Sequence, residues 1–238
     1  MLIAPLLRSL KYGVITASLT VALGYMAARR LTRQRTRATR FLDFLLLAAV
    51  AIPSVIFAAG YIMAYNLPFL SHLGINLYQT VGLLIIAYAA SSLPTNARVL
   101  VGSVSQLQAS LQDAARVHGA RPVRAWLRGV APLLSRPLVY AWLLTFTGVF
   151  LELLISQLLY APSQPPVSVA IEDNLSNYHF GVGTAQSVFA VLLALGVVVC
   201  ALAAYRLLAP AAGASWGRRD EHARAGRLRL HGRAQQAL

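Results

Sequence analysis

The sequence predicts an all-α membrane protein, a polytopic helical bundle of about five spans with a polar two-helix loop on one side. Three observations carry this reading. Hydrophobic residues fill 58% of the 238 positions and charged residues only 12%, against roughly 25% charged in soluble domains. Mean hydropathy is +0.62. The net charge of +14 is gathered in basic clusters separated by long apolar runs.

Each span follows from an apolar run. A helix needs about 20 mostly apolar residues to cross roughly 30 Å of hydrocarbon. Five runs qualify: Tyr12–Ala28, Phe44–Tyr65, Leu77–Ala97, Leu138–Tyr160 and Ala185–Tyr205. They are continuously apolar rather than alternating, so they read as helices and not as barrel strands. The first is the shortest. Arg8 and Lys11 precede it and Met26-Ala27-Ala28 end it, the outline of a cleaved signal peptide. Six arginines follow at once and resist translocation, so it reads as a retained span. An N-terminus outside the membrane leaves room for a further span upstream, or for a chain that is half of a longer fused protein. Cys200, the single cysteine, lies in an apolar run and reads as a small buried hydrophobe.

The placement of charge excludes a nucleic-acid surface and orients the spans. Arginines 29, 30, 33, 35, 37 and 40 form one cluster; 98, 116, 121, 124, 128 and 136 form a second; seven more lie between Arg206 and Arg233. These are loops between apolar runs, not one continuous patch. Cytoplasmic loops are enriched in Lys and Arg. Segments 29–43 and 98–137 and the tail after Arg206 are basic, whereas 66–76 and 161–184 contain no Lys or Arg. The expected path is N-terminus out and C-terminus in the cytoplasm. The expected division is a membrane domain over 1–208 and a basic, disordered or surface-lying tail over 209–238. Prolines punctuate the spans: Pro53 inside the second, Pro94 late in the third, Pro132 and Pro137 before the fourth. Pro53 reads as a kink or as a hinge.

The polar block Ser105–Pro132 carries the most information. Leu107, Leu111, Ala114, Ala115 and His118 recur at helical spacing, and Gly119 suits the end of that helix. Pro122 suits the first turn of a second helix, to which Val123, Trp126, Leu127 and Val130 give an apolar face. Arg121, Arg124 and Arg128 lie largely elsewhere on it. Two short helices outside the bilayer result, with an apolar face and a basic rim. Such a knob fits a groove on a partner, where Trp and Arg are favoured anchors, or it lies on lipid headgroups.

Asp113-Ala114-Ala115, three residues, Gly119, nine residues and Gly129-Val130-Ala131-Pro132 resemble the signature loop of bacterial ABC-importer permeases. The family pattern is Glu-Ala-Ala, three residues, Gly, nine residues, Ile-x-Leu-Pro. Asp113 replaces Glu and keeps the charge on a shorter arm. Gly129 and Ala131 replace Ile and Leu and remove apolar anchors. The resemblance covers about Tyr12–Leu208. It implies a permease of the bacterial inner membrane whose loop docks on a cytoplasmic ATPase dimer through Asp113, Ala114, Ala115, Gly119 and Pro132; Arg124, Trp126 and Leu127, from the face and rim of the second helix, are expected to join that contact. It also implies a second permease half, identical or homologous, and an extracytoplasmic solute-binding protein that supplies most selectivity. Glu152-Leu153-Leu154, Leu158-Leu159-Tyr160-Ala161-Pro162 and Ser168-Val169-Ala170-Ile171 look most like the ferric-iron permeases.

Polar groups inside the spans are the remaining candidates. Glu152 lies in the fourth run, where charge is costly and tends to face a cavity or a partner. Thr145, Gly148, Glu152 and Ser156 follow a spacing near 3.6 and share one face. Either this stripe lines a translocation path with Glu152 near a gate, or Glu152 is protonated or hydrogen-bonded at a helix contact. Segment 161–184 is a connector or a surface for the binding protein. His179 and Tyr178 beside Glu172-Asp173 lack the spacing of a metal site. The chain has no Gly-x4-Gly-Lys-Ser/Thr phosphate loop and no nucleophile–base motif, so no catalytic residue, metal or cofactor is expected. An ion-gradient carrier and a non-transporting membrane scaffold are the alternatives.

Overall fold

The computed structural model describes residues 3–33, 36–67, 77–106 and 131–208, and every regular element among them is a helix. The helices are α1 (Ile3–Arg33), α2 (Arg37–Val50), α3 (Ser54–Tyr65), α4 (Val81–Ser105), α5 (Ala131–Phe150), α6 (Leu154–Leu159), α7 (Val167–Ser176) and α8 (Phe180–Leu208). The chain divides into two compact units, Met1–Val198 and Val199–Leu238. The second is described only in residues 199–208, the last turns of α8.

Among the described residues four helices are long and apolar enough to cross a membrane, Ile3–Arg33, Val81–Ser105, Leu133–Phe150 and Phe180–Leu207, and the bent pair α2–α3 taken as one span makes five. The starts of α2 and α4 have local causes. The Thr36 hydroxyl accepts from Thr39 N while the Thr39 hydroxyl accepts from Thr36 N, a reciprocal cap that sets the first turn of α2. The Thr80 hydroxyl accepts from Leu83 N and starts α4. The first span is 31 residues long rather than the shortest of the set.

The second and fourth expected spans are not single helices. Phe44–Tyr65 is broken at Ala51–Pro53, and α2 and α3 meet at a bend of 111°. Pro53 has no N–H to donate and sits at the N-cap of α3, so the helix restarts there instead of continuing. Leu138–Tyr160 is corrected at both ends. Its helix starts at Ala131 and takes in Pro137, stops at Phe150, and restarts only at Leu154 for six residues. The expected connector 161–184 contains α7, and α8 begins at Phe180, five residues before the predicted Ala185. Apolar composition cannot see such breaks, because apart from Glu152 the unwound residues are themselves apolar.

The bundle is centred on α1, α4 and α5. Backbones approach closely where side chains are small. A Cβ on Gly13 would stand 3.0 Å from the Phe146 ring, and one on Gly24 would stand 2.5 Å from Asn96 Oδ1. Trp142, Phe146 and Phe150 stack at successive centroid separations of 5.2 and 5.5 Å along α5. Phe146 and Phe150 close a core with Leu6, Ala17, Val167, Ala190 and Ala194. A second core joins Tyr12, Ala58, Leu83, Leu84, Tyr88, Ile155 and Leu159, so that α3 and α6 pack on α1 and α4. Much of α8 faces outward, including Val188, Phe189, Leu192 and Leu195. Cys200, expected to be buried, is exposed.

Candidate functional site

The break Leu151–Leu153 organises a polar knot between four helices. Glu152 is not on a helix face: its carboxylate turns back on the chain, and Oε2 accepts from Ile155 N at 2.9 Å and Ser156 N at 3.4 Å. It is a cap for α6, whose start at Leu153 has no capping side chain of its own. The Glu152 carbonyl, freed by the break, accepts from the Ser156 hydroxyl and, at 2.7 Å, from the Ser168 hydroxyl of α7. With the Ser156 proton used in this way, the buried Tyr88 hydroxyl of α4 donates to Ser156 Oγ at 2.5 Å. Unwound backbone in a membrane needs such replacement partners.

Two contacts extend the knot to α1. The Tyr12 hydroxyl donates to Gln164 O at 3.3 Å, and Ser9 Oγ accepts from Val167 N at 2.8 Å. Pro166 gives α7 no side-chain cap, so Ser9 supplies one from another helix. A separate polar contact lies deeper among α1, α4 and α5. Asn96 Nδ2 donates to Thr145 Oγ1 at 2.9 Å and to Ala141 O at 3.2 Å. Among the described residues, Asn96 Oδ1, Thr16 Oγ1 and Thr20 Oγ1 are buried without a hydrogen-bond partner. Asn96 Oδ1 points at Gly24.

The predicted stripe is therefore not one face. Thr145 is buried against Asn96, Gly148 is exposed with open space around it, Glu152 sits in the break, and Ser156 is buried on α6. Glu152 and Ser156 do come together, joined by Tyr88, which the sequence did not single out, and by Ser168, which stood there only within the ferric-permease resemblance. Asn96 was missed too, although an amide in an apolar run is a readable signal. Asp113, Ala114, Ala115, Gly119, Arg124, Trp126 and Leu127 lie outside the described residues. Pro132 is in the first turn of α5.

Among the described residues no three His, Cys, Asp or Glu side chains converge as a metal site. Glu172 and Asp173 are engaged within α7 and its cap, by Ser176 at 2.8 Å and Asn177 at 3.1 Å. Arg98 Nη1 pairs with Asp43 Oδ1 at 2.9 Å, and Arg98 Nη2 also donates to Asp43 O at 3.1 Å. The pair ties α2 to α4.

This arrangement of broken spans and apolar helices has a counterpart in sequence. Residues 20–213 match the profile of the binding-protein-dependent transport system inner membrane component. The chain belongs to that family. It is 27% identical over 169 residues to a probable ABC transporter permease protein of Sinorhizobium fredii, covering 71% of this chain and 30% of that one. It is 26% identical over 200 residues to the trehalose transport system permease SugB of Mycobacterium tuberculosis, covering 83% and 70%. It is 22% identical over 195 residues to the ferric transport system permease FbpB of Actinobacillus pleuropneumoniae, covering 82% and 28%. The chain thus spans under a third of the first and third of these relatives and over two thirds of the second. Its fold is also that of a chain in a bacterial alginate ABC transporter crystallised with a pentasaccharide-bound periplasmic protein, at TM-score 0.67 and 17% identity over 86% of this chain and 79% of that one. The likeness shows a shared helical fold.

Proposed function

We propose that this chain is the membrane-spanning permease subunit of an ATP-driven importer and forms part of the solute path. The observation that carries the reading is the family match over 20–213, which runs through the signature block and both broken spans. In this reading the loop 105–132 docks on a cytoplasmic ATPase dimer. Asp113, Ala114, Ala115, Gly119, Arg124, Trp126, Leu127 and Pro132 form the contact. α4 and α5 lead directly into and out of that loop, so movement of the loop is passed to the core they share with α1. The subunit itself hydrolyses nothing; its partners supply the ATP chemistry. A second permease half completes the path, and a binding protein delivers solute on the side of segment 161–184.

Ferric iron and a disaccharide are the two solutes to test. The Glu152–Tyr160 and Ser168–Ile171 stretches favour the first, and the trehalose permease among the relatives favours the second. Glu152 and Ser156 belong to the gate in this proposal, Gly148 lies on the path, and buried Thr145 supports that path through its contact with Asn96.

The test is a pull-down in mild detergent with the parent chain and a Gly119→Pro, Trp126→Asp variant as bait. An ATPase subunit is expected with the parent and not with the variant. Absence of any ATPase from a folded, membrane-inserted parent would favour the ion-gradient carrier or the scaffold.

A further inference from the structure

We propose that the junction of α1 and α2 is a binding surface for anionic phospholipid headgroups, carried by Arg29, Arg30, Arg37 and Arg40. All four side chains are exposed, and among the described residues no carboxylate pairs with them. Asp43, the one acid between Arg29 and the break, has its carboxylate engaged by Arg98, so it leaves their charge uncompensated.

Two helices independently place these arginines at the edge of an apolar layer. On α1 the exposed residues after Lys11 are uncharged, including Val14, Ile15, Leu19, Leu23 and Met26, until Arg29 and Arg30. Lys11 and Arg29 are 18 residues apart, a rise of about 27 Å on a helix, close to the roughly 30 Å of a hydrocarbon core. On α2 the order runs the opposite way along the chain. Arg37 and Arg40 come first, then the exposed apolar side chains Phe41, Phe44, Leu45 and Leu47.

The two basic ends are held on the same stretch of α4. Ala28 packs with Leu100 and Val104, and Asp43 is tied to Arg98, so both ends gather beside one part of that helix. The cap at Thr36 fixes the first turn of α2, which carries Arg37. The result is four guanidinium groups at one membrane boundary, each next to exposed apolar side chains. A phosphate headgroup matches that setting. The guanidinium fork suits phosphate oxygens, the acyl chains meet the apolar stripe, and basic segments beside a membrane are drawn to anionic lipid. A soluble partner would not need the apolar stripe beneath the charge. The proposal rests on membrane insertion alone and not on ATPase coupling or a solute, so the proposed function can fail while this stands.

The test uses the full chain, purified in mild detergent with any subunits that accompany it. It is exchanged with an equal mixture of phosphatidylglycerol and phosphatidylcholine of identical acyl chains, and the retained lipids are quantified. The parent should retain phosphatidylglycerol at least about threefold over phosphatidylcholine, with the excess shrinking as salt rises. Replacing the four arginines by Gln should bring retention to parity, and replacing them by Lys should preserve the excess. Parity in the parent, or an excess undiminished in the Gln variant, overturns the proposal. So does a Gln variant that keeps the excess but loses a co-purifying subunit, which would assign the surface to a protein. If the Gln variant aggregates, the parent's salt series decides: an excess that salt does not reduce overturns the proposal, and one that salt abolishes supports it.

Discussion

Glu152 acts here through oxygen geometry rather than through charge on a helix face. Its carboxylate holds the first turn of α6, and α6 in turn packs with α3 and α4. Loss of a capping acceptor costs about 0.5–2 kcal/mol. Glu152→Ala should therefore lower uptake at equal expression, whereas Glu152→Gln, which keeps an acceptor oxygen, should retain most of it. Uptake by Glu152→Gln as low as by Glu152→Ala would mean that the charge itself matters and that capping is secondary. Asn96 gives a second comparison at this scale. Its two interhelical hydrogen bonds are worth about 0.6 kcal/mol each in a membrane. Gly24→Leu is the harsher change, because its first side-chain carbon already meets Asn96 Oδ1 and stands 3.5 Å from Ala97 N of the same backbone. Thermal unfolding in detergent should rank Gly24→Leu well below Asn96→Ala in stability. The reverse order would mean that α1 and α4 separate readily at Gly24.

At the scale of elements, the sequence announced how many apolar runs there are but not where they break. Run length and hydropathy count atoms that dislike water, and Leu151 and Leu153 satisfy that count whether helical or not. Pro53 marked one break in advance, since it removes a donor; its 111° consequence was not legible, because the bend is set by what α2 and α3 pack against. Glu152 was legible as unusual, and its role as a cap was hidden by the assumption of a continuous helix. Tyr88 comes from a run distant in sequence and Ser168 from a segment read as a connector, so nothing in the local spacing pointed to them. The Arg98–Asp43 pair belongs to this scale as well, because it fastens α2 to α4. Both side chains are about a third or more exposed, at 32% and 43%, so the pair should be worth only about 0.2–1 kcal/mol. A double-mutant cycle with Arg98→Gln and Asp43→Asn, read by thermal unfolding, should give a coupling in that range that falls with added salt. A coupling of several kcal/mol, insensitive to salt, would mean that the pair is closed off from solvent.

For the whole molecule, the large outward apolar surface is explained by a lipid solvent, and α8 tests that explanation most directly. It is 29 residues long, about 43 Å of helix, which exceeds the hydrocarbon thickness and requires tilt or projection at its ends. Val188, Phe189, Leu192, Leu195 and Val199 are exposed along it, and its basic residue is Arg206 in the last turn. Cys200 is exposed six residues before that arginine, about 9 Å along the axis and therefore inside the apolar layer if Arg206 marks the headgroups. A thiol there is shielded by acyl chains even though the described residues leave it exposed. Cys200 should therefore react slowly with a charged, water-borne maleimide in intact membranes and rapidly once the membrane is dissolved in denaturing detergent. Rapid labelling in intact membranes would show that this side of α8 meets water, and would move α8 from the lipid boundary to the lining of an aqueous path.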